Sequence, residues 1–220
     1  MRVMKVPIFA LVALILPPSA STQVLQQPAH VGIVAGLDQA KLTLPTSLGA
    51  NSFGFLAGLY YCSPLSPTWS IETEALIVQK GSKARSDGRD FGAFRINYAE
   101  FPVLARYQFR MDAETPGPHV YVGPAVAVQL SCHFSGIPDD VPLESDCGFF
   151  GYGADRSNGP KRIDYGIMGG VGISTGPVTQ PVAIDLRYDF GLSNLDQTTA
   201  SRYGSVSNRV ISLAVSVGIR

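Results

Sequence analysis

The chain has 220 residues, enough for one barrel or sandwich or for two small domains. Its 17 Lys and Arg balance 17 Asp and Glu, so it lacks the basic footprint that nucleic-acid phosphates demand. Charged residues are only 15%, against about 25% in typical soluble domains, and the 23 glycines suit tight turns and close strand packing better than long helices.

The chain opens on a short basic region, MRVMK at 1–5, followed by the apolar run VPIFALVALIL at 6–16. PPSAS then supplies a break and small residues for cleavage. A signal peptide over residues 1–21 is the expectation, cut near Ala20 or Ser21; a short N-terminal membrane anchor is the alternative. The run is too short for a comfortable spanning helix, and no cysteine follows it to take a lipid anchor. After Leu16 no apolar run is long enough for a helical span, so any membrane role falls to strands.

Alternation of apolar and other residues then recurs along the mature sequence. In HVGIVAGLDQAKL (30–42), Val31, Ile33, Ala35 and Leu37 oppose Gly32, Val34, Gly36 and Asp38. FGFLAGLYY (53–61) sets Phe53, Phe55, Ala57, Leu59 and Tyr61 against Gly54, Gly58 and Tyr60. TWSIETEALIVQKG (68–81) puts Trp69, Ile71, Thr73, Ala75 and Ile77 opposite Ser70, Glu72 and Glu74. RINYAEFPVLARYQF (95–109) separates Phe101, Val103, Tyr107 and Phe109 from Tyr98, Glu100, Arg106 and Gln108, and Pro102 inside it predicts a bulge or bend. HVYVGPAVAVQLS (119–131) and RIDYGIMGGVGIS (162–174) follow the same rule, the second opposing Ile163, Tyr165, Ile167, Val171 and Ile173 to Asp164 and a set of glycines. VAIDLRYDFG (182–191) alternates Ile184, Leu186, Tyr188 and Phe190 with Asp185, Arg187 and Asp189, and NRVISLAVSVGIR (208–220) closes the series.

These are eight segments of the length that strands tilted across a bilayer need, longer than the roughly 5–6 residues of typical soluble strands. The fold class is therefore all-β, an eight-stranded antiparallel up-and-down transmembrane β-barrel in one domain over 28–220. An even count lets the first and last strands close side by side. With both ends on the periplasmic side, the even connections (62–67, 110–117, 175–180) are short. The odd ones include 81–92, the long 135–160 stretch and 194–207, with 43–51 of moderate length. Short inner turns and longer outer loops fit that orientation.

Local alternation cannot distinguish a soluble sheet, apolar face on a core, from a transmembrane barrel, apolar face on lipid. In the barrel reading Glu72, Glu74, Glu100, Arg106, Asp164, Asp185, Arg187 and Asp189 fill the lumen as a packed structural plug. Buried carboxylates need partners, and Arg106 and Arg187 are placed to bind them bidentately. Inward glycines leave room for these long side chains. Tyr60, Tyr61, Trp69, Phe101, Tyr107, Phe109, Tyr165 and Tyr188 fall near strand ends, as interface girdles require. Cys132 and Cys147 flank part of the 135–160 stretch, so an exported chain would bridge them and leave Cys62 over.

WSIETEALIVQKGSK, INYAEFPVLARYQF, PHVYVGPAVAVQLS and NRVISLAVSVGI, in this order and spacing, resemble the PorT-type outer-membrane β-barrel domain family. The resemblance covers residues 28–220 and implies a small eight-stranded barrel of Gram-negative outer membranes with no shared catalytic residues. It also implies delivery by the barrel-assembly machinery, although the last strand ends on Ile219 and Arg220 where many such strands end on an aromatic residue.

Chemistry finds little support. Glu72 with Glu74, or Asp185 with Asp189, share a strand face as acid and base groups would, but lumen packing accounts for them. His119, Cys132 and His133 lack metal-ligand spacing. There is no G-x-S-x-G elbow, and GGVG at 169–172 is followed by no helix. No catalytic residue, metal or cofactor is expected. The expected role is structural or interactive, with outer-membrane lipid around the barrel and the 135–160 loop toward a surface partner. Three alternatives stay open: a narrow channel or export component, a soluble exported barrel with a ligand inside, and a lipid-active enzyme using His133 near the outer rim.

Overall fold

The computed structural model describes residues 29–43, 49–86, 89–109, 117–136, 143–146, 162–175, 180–195 and 206–219. Ten strands are formed: β1 (His30–Thr43), β2 (Gly49–Ala50), β3 (Ser52–Pro64), β4 (Trp69–Ser86), β5 (Arg89–Gln108), β6 (Gly117–Gly136), β7 (Leu143–Asp146), β8 (Ile163–Thr175), β9 (Val182–Gly191) and β10 (Ser207–Ile219). Eight of them are long and each pairs antiparallel with its neighbours in the chain. β1 pairs with β10 from Val31↔Ile219 to Thr43↔Ser207, so the ring β1-β3-β4-β5-β6-β8-β9-β10 is closed. β2 extends the wall beside Lys83 and Ala84, and β7 lies beside the last turn of β6.

The alternation takes its inside-out sense. Leu37 and Phe53 are 71% and 77% exposed, whereas Asp38 and Glu100 are 1% exposed. Large apolar side chains cover the outer wall of every long strand, and polar and small ones fill the lumen. A soluble barrel with an apolar pocket is excluded by this facing, because its exterior would leave far more contiguous apolar surface in water than soluble monomers tolerate.

Three expectations change. Residues 81–86 and 89–92 are strand, not loop: β4 and β5 run on to the pair Ser86↔Arg89. β6 likewise continues to Gly136, and β7 pairs with it inside the expected 135–160 loop. The irregularity expected at Pro102 lies elsewhere. Register holds across Pro102, and the shift falls between Asn97 and Tyr98, where β6 carries the extra residue Leu130. Leu130 and Ser131 are both exposed, so the bulge resets the facing and turns Cys132 and Phe134 inward.

Trp69, Tyr107 and Phe109 form an edge-to-face chain at one end of the barrel, with centroid spacings of 5.0 and 4.9 Å. Tyr165, Tyr188 and Phe190 stand on the outer wall toward the other end. Tyr60 is not part of a girdle; it points into the lumen and is buried. Its neighbour Gly32 leaves the space, since a Cβ there would lie 2.2 Å from the Tyr60 ring. The expected signal peptide, Cys147, and most of the 110–117, 135–160, 175–180 and 194–207 connections lie outside the described residues.

Candidate functional site

The lumen holds two polar layers, each assembled from strands that are distant in sequence. In the layer nearer the chain termini, Arg187 on β9 donates from Nη1 to Glu74 Oε2 on β4 at 2.9 Å. Arg106 on β5 donates likewise to Glu72 Oε2 at 3.0 Å. His119 Nε2 on β6 meets Asp185 Oδ1 on β9 at 2.6 Å, and His119 stacks on Tyr121, whose ring lies 5.6 Å below the Arg187 guanidinium.

In the layer nearer the loops, Lys80 on β4 is held between Asp189 on β9 and Glu100 on β5. Its Nζ is 2.8 Å from Glu100 Oε2. The ammonium also sits 5.6 Å from the Tyr98 ring centroid. Asp164 on β8 accepts from Ser193 Oγ and from Asn208 Nδ2, the latter at 2.6 Å. Between these groups remains a cavity of about 10 Å³ lined by Lys80, Glu100, Asp164 and Asp189 among others, at the lower limit of space for one water.

Ring order gives these contacts their meaning. β4 and β9 stand four strands apart in a ring of eight, on opposite walls. Glu74–Arg187 and Lys80–Asp189 therefore cross the full width of the lumen. Why they can do so is local. Tyr121, Gly170 and Arg187 form one row across β6, β8 and β9, and His119, Gly172 and Asp185 form another. A Cβ at Gly170 would lie 2.4 Å from Tyr121 atoms, and one at Gly172 would lie 2.4 Å from Asp185 Oδ1. The β8 glycines thus let large side chains from both neighbouring strands lie over them.

All eight polar residues expected in the lumen point into it and are buried or nearly so. The arginines are not bidentate: each uses a single Nη1 contact, and among the described residues Arg187 Nε and Glu74 Oε1 have no hydrogen-bond partner. Sequence reasoning missed Lys80, Asp38, His119, Ser193 and Asn208 as members of the network. Lys80 and Asp38 carried the right parity, but no spacing in the chain announces a partner across a barrel. Asp38 is buried opposite Ser212, and its carboxylate oxygens make no hydrogen bond among the described residues. His119, Cys132 and His133 do not converge. His119 is bound to Asp185, Cys132 faces inward near the far end of β6, and His133 faces outward. Cys132 is engaged in a disulfide, and Cys62 is free and buried. Among the described residues no group of three His, Cys, Asp or Glu is arranged to hold a metal ion.

A closed eight-stranded ring, apolar outside and ion-paired inside, is the arrangement a bilayer selects. The family model for the outer membrane protein beta-barrel domain matches residues 21–197 of the sequence. The chain belongs to that family. This outer-membrane barrel is similar in structure to Ail of Yersinia pestis, solved in complex with the heparin analogue sucrose octasulfate. The identity is 13% over 87% of this chain and 99% of that one, with a TM-score of 0.43. Neisserial surface protein A follows at 15% identity, 87% and 98% coverage and a TM-score of 0.42. OprG from Pseudomonas aeruginosa stands at 10% identity, 89% and 97% coverage and a TM-score of 0.46. No curated protein matches the sequence.

Proposed function

We propose that this outer-membrane barrel is a non-enzymatic scaffold with a plugged lumen, which presents its loops, the 135–160 segment above all, to a partner at the surface. The observation that carries this reading is the pair of ion pairs spanning the lumen from β4 to β9, Glu74–Arg187 and Lys80–Asp189. A conducting path would have to break both, and the desolvation of each separated charge opposes that. His119, the side chain that most resembles a catalytic base, is buried inside the plug against Asp185, away from any lipid substrate. An N-terminal signal peptide over 1–21, delivery by the barrel-assembly machinery and a place among PorT-type barrels belong to the same proposal.

The test is single-channel recording on the purified, refolded protein in a planar bilayer. The expected trace shows no discrete steps at any holding voltage. Reproducible unitary currents in the intact protein would replace the scaffold reading with that of a narrow channel or export component.

A further inference from the structure

Among the described side chains, charge is sorted across the barrel wall by sign as well as by amount. Every carboxylate whose side chain is described points into the lumen. On the outer wall the described charged side chains are all basic: Lys41, Lys83, Arg95 and Arg209. They stand toward the loop end, above the apolar band, as Arg209 precedes Ile211 and Leu213 on β10 and Lys41 follows Leu37 on β1.

Lys41 and Arg209 are direct cross-strand partners at the β1–β10 seam. Like charges placed opposite one another on a sheet face repel, and among the described residues no carboxylate pairs with either. Arg209 is nonetheless fixed. Its Nη1 donates to Gly191 O at 2.7 Å, Asn208 O at 2.8 Å and Ser207 Oγ at 3.0 Å. Its guanidinium carbon lies 3.7 Å from the centroid of Phe190. Those bonds use one nitrogen, which leaves the rest of the fork uncommitted. Exposed Phe190 stands beside Arg209 as its cross-strand partner, and the exposed side chains Leu37 and Ile211 lie below the pair.

We propose that Lys41 and Arg209 form a binding site for the phosphate group of a lipid headgroup in the surrounding leaflet. A phosphate accepts from ammonium and guanidinium together, which turns the repulsion between them into a chelate. The acyl chains of the same molecule then lie on Leu37, Ile211 and Phe190. This inference rests on the outer-membrane location and the outer wall, and stands apart from the scaffold role.

The experiment is native mass spectrometry of the full protein in a zwitterionic detergent, titrated with diphosphorylated lipid A, its dephosphorylated form and phosphatidylcholine. The wild type should bind the phosphorylated lipid in preference to both others. Lys41→Gln should weaken that binding about fivefold, and Lys41→Gln with Arg209→Gln by roughly 25-fold, as expected for about one unit of surface attraction per cation. Lys41→Gln removes no contact that holds the fold, so it decides the matter if the double variant fails to refold. Equal binding by wild type and Lys41→Gln overturns the proposal. So does equal affinity for phosphatidylcholine, and displacement of lipid A by inorganic phosphate would reassign the site to a free anion.

Discussion

Lys80 sits against two carboxylates in a layer from which water is nearly excluded. Replacing it by Met keeps most of the volume and strands Glu100 and Asp189 without their cation. Removing one partner of a buried pair typically costs about 3–5 kcal/mol, so Lys80→Met should lower the urea midpoint of the barrel in lipid vesicles by a corresponding amount, followed through the fluorescence of Trp69. Asp38→Asn should act in the opposite direction, because its carboxylate is buried without a hydrogen bond among the described residues and the amide carries no charge to desolvate. An Asp38→Asn variant as unstable as Lys80→Met would show that Ser212, Lys80 and Arg187 around Asp38 hold its carboxylate more strongly than burial opposes it. That Glu72 shares a face with Glu74, and Asp185 with Arg187, was legible from alternation, and the number and length of the strands turned that face to the lumen. Their partners were not legible. Glu74 and Arg187 are 113 positions apart, and only the closure of the ring brings them face to face.

At the scale of single strands, β8 shows why glycine is spent inside a sheet. Gly170 lies between Tyr121 and Arg187, and a methyl group there meets the Tyr121 ring. Gly170→Ala should therefore cost about 1–3 kcal/mol, the usual penalty of overpacking. Gly169→Ala is the control: a Cβ at Gly169 comes no closer than 3.5 Å to any neighbour and should leave the urea midpoint nearly unchanged. Equal losses in the two variants would show that the row across β6, β8 and β9 is not what Gly170 serves. The strand limits were legible only where lipid enforces them. Between Trp69 and Lys80 the outer face must be apolar, and the pattern is plain. Beyond Gly81 the sheet continues without lipid beside it, so Ser82 and its neighbours lose the alternation and read as a loop although they remain paired. The Leu130 bulge left no trace of its own, because one extra residue in a run of Val, Ala and Leu changes the phase but not the composition.

For the molecule as a whole, the number of strands and their up-and-down order were legible because a bilayer allows few other solutions to a chain of alternating segments. Closure predicts a simple behaviour. With every long strand paired on both sides and two ion pairs across the lumen, the folded barrel should resist SDS at room temperature and migrate differently on a gel before and after boiling. The same band should stay with the outer-membrane fraction through a carbonate wash. Identical mobility in both lanes would mean that the ring is not closed in the membrane.

The seam between β1 and β10 carries a further consequence, which concerns time. It joins Val31 to Ile219, a separation of 219 minus 31, or 188 positions. Contacts so remote in the chain are slow to form, and β1 has only β3 to pair with until β10 arrives. Throughout that interval one whole edge of unsatisfied N–H and C=O groups is open to any other strand. The thirteen residues of β10 are thus the ones that make the first strand safe, and no stage before their arrival lacks a sticky side.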